Sequence, residues 1–374
     1  MNCLPILLII LALTACKSAE QPVCDTEGVP LAHQTNKIFK GPLQTRGSEY
    51  HVSLEVNGTP VIAIADTGSS NLDLASGQNF TPSGQSIGTY SIMYGAGGNN
   101  TIDGYHGTVG LNCLNQTAIK PVLYGYIQPG SAQNENILGL AYRGKELYPA
   151  GYPPEHAFFG QLVNQTAKTS TPILDEFAML LCGVNNANSK INFGGTSSAF
   201  QGTFVYTPTI DPSYYVINTP TVSINGNSMG SFDSTMATIV DSGTTLNLVP
   251  NAVLCAIVAQ IESKGGAGIT GIDCKNNSKP TGTGKNISCP ENSALANLPD
   301  VDIAIGNPST TLSIKPSTYF KKLDNGQCFF GFGSNAGVGL NILGQVTMEN
   351  YYVHFDRKNT RIGFGSNAMC GNQT

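Results

Sequence analysis

Two short carboxylate motifs stand in the same setting at distant points of this chain. Asp66-Thr67-Gly68-Ser69 follows the apolar run Val61-Ile62-Ala63-Ile64-Ala65, and Asp241-Ser242-Gly243-Thr244 follows Thr238-Ile239-Val240. Well downstream of each lies an apolar-apolar-Gly triplet, Ile137-Leu138-Gly139 and Ile342-Leu343-Gly344. A lone Asp-Thr-Gly is often only a turn. Here the whole context is duplicated, and each aspartate ends a strand-like run where a buried carboxylate is costly unless hydrogen-bonded. Glycine at Gly68 and Gly243 lets the backbone approach closely, and the hydroxyls of Thr67 and Ser242 can satisfy neighbouring polar groups. Two carboxylates about 3 Å apart cannot both ionise, so they hold one proton between them. The ionised member can draw a proton from a water that attacks a carbonyl, while the protonated member hydrogen-bonds the carbonyl oxygen. Asp66 and Asp241 are therefore the candidate catalytic pair. The two titrations belong to the pair, and the sequence does not assign the roles.

The elements that must position them are short strands. Tyr50 to Val56, a turn at Asn57-Gly58, and Val61 to Ala65 form a hairpin signal, repeated at Val222-Ser223-Ile224-Asn225-Gly226. Helical stretches are few; the best runs from Asn251 through Val258, beginning near Pro250. The pattern is all-β and not βαβ. The expected organisation is a signal peptide over 1–15, a tether or short leader over 16–40, and two pseudo-symmetric β lobes over 41–200 and 201–370. A cleft between them would hold the aspartates, since ligand sites favour domain interfaces.

Charged residues make up only 11% of the chain, the net charge is −5, and no basic cluster occurs, which argues against a nucleic-acid partner. Leu4 to Leu13 is almost wholly aliphatic, too short for a membrane span and typical of an export signal. It ends in Leu13-Thr14-Ala15-Cys16, which resembles a bacterial lipobox, with Cys16 as the lipidated residue. No Lys or Arg precedes the apolar core, so an ordinary signal peptide beside a chance cysteine is the alternative. Removing Cys3 and Cys16 leaves eight cysteines, an even number suited to an oxidising compartment. The expected location is the outer membrane or cell surface through lipid on Cys16, otherwise the periplasm or the medium. Seven Asn-x-Ser/Thr sequons, at Asn57, Asn99, Asn115, Asn164, Asn276, Asn286 and Asn372, do not decide the host.

From Glu49 to Phe364 the chain resembles the pepsin family of aspartic peptidases. Asp66 to Leu72 is similar to the first active-site loop, Ile239 to Thr245 to the second, and Asn136 to Tyr142 to the segment crossing behind the first. Ile342-Leu343-Gly344, Tyr351 to Asp356 and Arg361 to Phe364 resemble the end of the second lobe. The resemblance implies a bilobal acid-protease fold. Thr67 and Ser242 would brace the two loops, with Ser69 and Thr244 as outer hydrogen-bond partners of the aspartates. Tyr94 and Gly95 would form the tip of a flap that excludes water from the substrate. It also implies Cys289 paired with Cys328 and, as in the memapsin (β-secretase) branch, Cys182 paired with Cys370. Cys255 with Cys274 and Cys24 with Cys113 then remain.

Three departures stand out. Where pepsin has a tryptophan seven residues after its first aspartate, this chain has Asp73, and it contains no Trp at all. Asp73 is either a carboxylate that alters the flap and the pH profile or a solvent-facing strand residue. The stretch from Leu72 to Ile92 is short, which trims one cleft wall. Too little chain lies between Cys16 and the first strand for a full pepsin-type propeptide, so the enzyme is expected to be made active, with residues 17 to about 40 as a short mask the alternative.

The leading expectation is an aspartic endopeptidase, a monomer needing no cofactor, that takes protein or peptide in extended conformation with apolar side chains beside the scissile bond. The alternative is a weak or inactive peptide-binding protein on the same fold. A glycosidase would also use two carboxylates but gives no reason for the twin loops. Gly331, Gly333 and Gly337 are mis-spaced for dinucleotide binding, and the five histidines show no metal-ligand spacing.

Overall fold

A computed structural model describes residues 29–34, 49–94, 99–111, 119–142, 157–168, 172–183, 186, 188–211, 213–275, 280–306, 309–323 and 326–371. Cys16, Cys24, Gly95 and Cys113 lie outside these residues.

The first half is built from β1 (Val29–Gln34), β2 (Glu49–Val56), β3 (Thr59–Asp66), β4 (Leu72–Ala75), β5 (Gly88–Met93), β6 (Asn99–Leu111), β7 (Ile119–Ile127) and β8 (Ile137–Gly139). Asn57 and Gly58, at φ 51° and 80°, make the tight turn that joins β2 to β3, so Val56 opposes Thr59. Positive φ at both turn positions matches the right-handed twist of the flanking strands. Alternation along β2 places Tyr50, Val52, Leu54 and Val56 in the core. β1, in a stretch without sequence periodicity, pairs with both β2 and a later strand.

Next come β9 (Phe177–Leu180), β10 (Lys190–Phe193), β11 (Val205–Pro208), β12 (Val216–Ile217), β13 (Thr221–Ile224), β14 (Asn227–Ser231), β15 (Thr238–Val240) and β16 (Asn247–Val249). The chain finishes with β17 (Phe332–Ser334), β18 (Asn341–Leu343), β19 (Tyr351–Asp356) and β20 (Arg361–Ser366). Asn225 and Gly226 repeat the turn device between β13 and β14. Two longer helices are α1 (Phe158–Thr166) and α2 (Asn251–Gly265), the latter beginning directly after Pro250. Pro250 stops the backbone before the helix without offering a side-chain cap.

The two halves repeat one arrangement. β3 runs parallel to β8, pairing Ile64 with Ile137 and Ala65 with Leu138. β15 runs parallel to β18, pairing Ile239 with Ile342 and Val240 with Leu343. In each half the strand after the carboxylate loop crosses antiparallel on the other side of the same triplet. The apolar triplets are central strands, and each of their residues is buried, so both faces carry apolar side chains or glycine. Gly139 and Gly344 sit where a Cβ would lie 2.4 Å from the Asn71 nitrogen and 2.3 Å from the Leu246 oxygen, so only glycine lets the loop cross there.

The halves share a sheet, in which β11, β20 and β19 join β9 and β10. Polar anchors reinforce this seam. Tyr50 donates to Glu349 Oε1 at 2.7 Å, and buried Lys321 pairs with the same carboxylate. Arg357 donates to Asp175 at 2.7 Å and to the Ala141 carbonyl at 3.0 Å, its guanidinium lying over the rings of Tyr142 and Phe159. Disulfides join Cys182 to Cys370, Cys255 to Cys274 and Cys289 to Cys328. No helix among the described residues is long and apolar enough to cross a membrane.

Of the three bridges, Cys182–Cys370 ties the end of β9 to the last turn of the described chain. Replacing both cysteines by serine is expected to remove about 2–4 kcal/mol of stability, measured by urea unfolding without reductant. An unchanged unfolding midpoint would show that the shared sheet needs no such tie.

Candidate active site

Both carboxylate loops leave a buried parallel strand and meet at one point. Thr67 Oγ1 donates to the Val240 carbonyl at 3.0 Å and accepts from the Ser242 N–H at 2.9 Å. Ser242 Oγ donates to the Ala65 carbonyl at 2.6 Å and accepts from the Thr67 N–H at 3.0 Å. These four reciprocal bonds are buried and use up the polar backbone at the tips of both strands. Gln345 adds a further link by donating to the Ser242 carbonyl at 2.8 Å.

The crossing places Asp66 and Asp241 face to face. Each inner oxygen accepts from the N–H of its own loop glycine, Gly68 or Gly243, at 2.8 Å. Each outer oxygen accepts from a hydroxyl, Ser69 at 2.5 Å and Thr244 at 2.6 Å. The glycines have a second function. A Cβ on Gly68 would lie 2.5 Å from Asp241 Oδ1, and a Cβ on Gly243 would lie 2.3 Å from Asp66 Oδ1. Each loop therefore yields the space that the opposite carboxylate occupies. Asp66 is 8% exposed and Asp241 6%, enough for the pair to face a cleft while its flanks are dry. Burial, then the charge of Asp241, holds the Asp66 carboxyl well above the ordinary carboxylate range, against the hydrogen bonds of Ser69 and Gly68.

Tyr94, directly after β5, is brought to this region, and the charge of Asp66 is one of the causes that raise its phenol. Its hydroxyl donates to Asp73 Oδ2 on β4. Asp73 is completely buried, so the solvent-facing alternative is excluded. Tyr90 is a partner that the sequence did not single out: it lies on the same face of β5 as Tyr94 and donates to Asp73 Oδ1 at 2.9 Å. Period-two spacing of the two tyrosines was the available signal. The grouping of Glu49, His51 and Glu135, by contrast, has no signal in sequence spacing that would bring Glu135 to the other two. One ligand-type atom of each lies within 4.8 Å of the others, with His51 Nε2 3.4 Å from Glu49 Oε2. The two β2 residues meet Glu135 only because β3 lies between β2 and β8.

Asp66 offers a pH test independent of turnover. Its folded-state carboxyl holds a proton above the ordinary value of 3.8, so the folded state binds more protons than the unfolded one as pH rises from there. Stability from this group is present at low pH and is lost as pH climbs through the raised value. Asp66→Asn, which cannot ionise, is expected to unfold at a higher temperature than wild type at pH 7, with the gap closing towards pH 4. A gap of constant size from pH 4 to 7 would contradict a raised carboxyl.

The sequence model of the family described as "Eukaryotic aspartyl protease" matches residues 49–367. Aspergillopepsin-1 of Aspergillus pseudoglaucus is 28% identical over 92% of this chain and 85% of its own length. Pepsin A of Bos taurus is 30% identical, over 87% of this chain and 86% of its own length. Beta-secretase of Strongylocentrotus purpuratus is 25% identical, over 95% and 74%. With paired loops, opposed carboxylates and this span of similarity, the chain belongs to the pepsin-like family of aspartic endopeptidases.

Proposed function

We propose that Asp66 and Asp241 hydrolyse peptide bonds by activating a water between them, with Thr67, Ser242 and the two loop glycines holding the pair in register. The observation that carries this reading is reciprocal: each carboxylate rests against the glycine of the opposite loop, so neither position is usable without the other. Sharing one proton, the ionised carboxylate takes a proton from water as its oxygen attacks the peptide carbonyl. The protonated one donates to the developing oxyanion, and the same proton inventory then serves protonation of the leaving amine. Ser69 and Thr244 steady the outer oxygens. Tyr94 covers the reacting bond, and the substrate lies extended across the cleft between the lobes with apolar side chains on either side of the scissile bond.

Further parts of this reading concern the molecule's surroundings. The enzyme is exported, is anchored by lipid on Cys16, and acts as a monomer. The memapsin branch is favoured by the Cys182–Cys370 bridge and by the lack of tryptophan after Asp66.

Cleavage of a diverse peptide pool by protein starting after Cys16 tests the chemistry. Wild type is expected to cleave from acid to mildly acid pH and to be blocked by a statine-type transition-state mimic. Asp66→Asn and Asp241→Asn are each expected to lose at least about a thousandfold in kcat, because removing one member of a catalytic unit removes most of its effect. Full activity at pH 8 with none at pH 5 would sink the shared-proton mechanism. Peptide binding without cleavage would favour the binding-protein alternative. For the anchor, full-length protein made in a bacterial host with labelled palmitate is expected to carry label and fractionate with membranes, and Cys16→Ala to do neither. Label retained in Cys16→Ala would rule this anchor out.

A further inference from the structure

Asp73 follows Asp66 by the same seven residues that separate Leu248 from Asp241. The strand frame treats the two positions alike. Asp73 opposes Ile137 and runs parallel beside Gly125, while Leu248 opposes Ile342 and runs parallel beside Gly333. Each glycine leaves room for the side chain above it. A Cβ at Gly333 would lie 3.2 Å from a Leu248 methyl, and one at Gly125 would lie 2.0 Å from Asp73 Oδ1 and 2.6 Å from the Tyr90 hydroxyl. One lobe fills this slot with an apolar side chain, and the other fills it with a carboxylate.

Packing alone does not call for a carboxylate there. Ala75, Ile92, Ile102 and Ile127 form a small buried cluster against which Tyr90 and Tyr94 pack. An acid with no exposure in such surroundings is costly unless its oxygens are satisfied. Both are satisfied by phenols, Tyr90 donating to Oδ1 at 2.9 Å and Tyr94 to Oδ2. Leu248 in the second lobe shows that the fold tolerates an apolar occupant; what the carboxylate adds is a grip on two hydroxyls.

We propose that Asp73 is the positioning residue of Tyr94, its carboxylate holding the phenol beside the Asp66–Asp241 pair and thereby setting how firmly a peptide is gripped in the transition state. This rests on the aspartic-peptidase reading for its effect on turnover, though not for the Asp73–Tyr94 link itself. The grip depends on charge. An ionised carboxylate accepts from both phenols, whereas a protonated one gives up an acceptor position and leaves the phenols in competition. Burial raises the Asp73 carboxyl to about 6, against the pull of Tyr94, Tyr90 and Asn71. The titratable groups that face it are Tyr90 and Tyr94 from β5; β7 contributes Gly125, β6 Ile102 and β8 Ile137. The charge of Asp66 also bears on Tyr94. The hold is therefore firm above about pH 6 and loosens as pH falls through that value.

Asp73→Asn keeps the shape of the side chain and stays neutral at every pH. The wild-type to Asp73→Asn ratio in kcat/KM is expected to be about tenfold near pH 7, the loss of one charge-assisted hydrogen bond, and to shrink towards unity by pH 4.5 with a midpoint near 6. In a cycle with Tyr94→Phe, the double variant is expected to lose no more than either single one. Tyr90→Phe, which leaves the Tyr94 bond in place, is expected to retain more activity than Tyr94→Phe. A ratio independent of pH, or losses that add, would reduce Asp73 to a packing residue and overturn the proposal. If Asp73→Asn fails to fold, the wild-type to Tyr94→Phe ratio is expected to show the same midpoint near 6, and its independence of pH would overturn the proposal equally. A spectroscopic arm needs no turnover. Because the chain has no Trp, its near-ultraviolet spectrum reports tyrosine, and wild type is expected to show a step near pH 6 that weakens in Tyr94→Phe and vanishes in Asp73→Asn. A step unchanged in Asp73→Asn overturns the link. A step that behaves as expected in a wild type that cleaves nothing leaves the link standing and overturns the peptidase reading instead.

Discussion

The rest of the site depends on the four crossed hydrogen bonds between Thr67 and Ser242. Each hydroxyl gives its proton to a carbonyl beside the opposite aspartate and takes one from the opposite backbone N–H. A carboxylate pair repels itself when ionised, so something other than the pair must hold it together. The crossed hydroxyls do this without charge, in a dry position where an unmade hydrogen bond is expensive. Because each loop is fixed to the other's backbone, a shift of one aspartate must move both. The buried parallel strands behind them, β3 with β8 and β15 with β18, supply the rigid footing.

Duplication explains the frame and also shows where the halves diverge. Paired positions that only support the frame keep their chemistry: Ile137 and Ile342, Gly139 and Gly344, Thr67 and Ser242. The slot occupied by Asp73 and Leu248 does not. In the second lobe the residue above the glycine completes a core. In the first it faces β5, and Tyr90 and Tyr94 convert an otherwise unfavourable burial into a satisfied one. Where a repeated fold breaks its own symmetry with a buried charge, the local surroundings must supply a reason, and here they are two phenols.

The frame was legible in the sequence because its signals are local or repeated. Asn57-Gly58 and Asn225-Gly226 specify turns by backbone chirality, and both form the expected hairpins. The apolar triplets stood out because they recur behind each aspartate, and in the structure both are strands buried at every position. What stayed hidden depends on which elements lie side by side. Asp73 read equally as a cleft carboxylate or a solvent-facing strand residue, because alternation in a four-residue strand cannot say whether its polar face meets water or β5. Glu135 joins Glu49 and His51 across the width of β3, which no spacing encodes. β1 had no periodicity to betray it, since its place is fixed by the strands on either side, β2 and β10, and not by an alternation of its own.

Tyr94 links the two titrating systems of the first lobe. Its phenol is raised by burial and then by Asp73, and it also feels the charge of Asp66. Asp66 and Asp73 are themselves both raised chiefly by burial, but they differ in what opposes it. Asp66 faces another carboxylate, which favours keeping a proton; Asp73 faces neutral donors, which favour losing one. Both acids therefore keep a proton to higher pH than an ordinary carboxylate, and Asp73, raised to about 6, is ionised only above that value. Above about pH 6 the Asp73 carboxylate is ionised and able to hold a hydroxyl, and its hold on Tyr94 weakens in the more acid range. An apolar residue at position 73 would leave Tyr94 without that acceptor, and an acid placed nearer Asp241 would compete for the shared proton. The position that serves both needs is buried, lies on a strand separated from β3 by β8, and is bound to Tyr94 through its phenol.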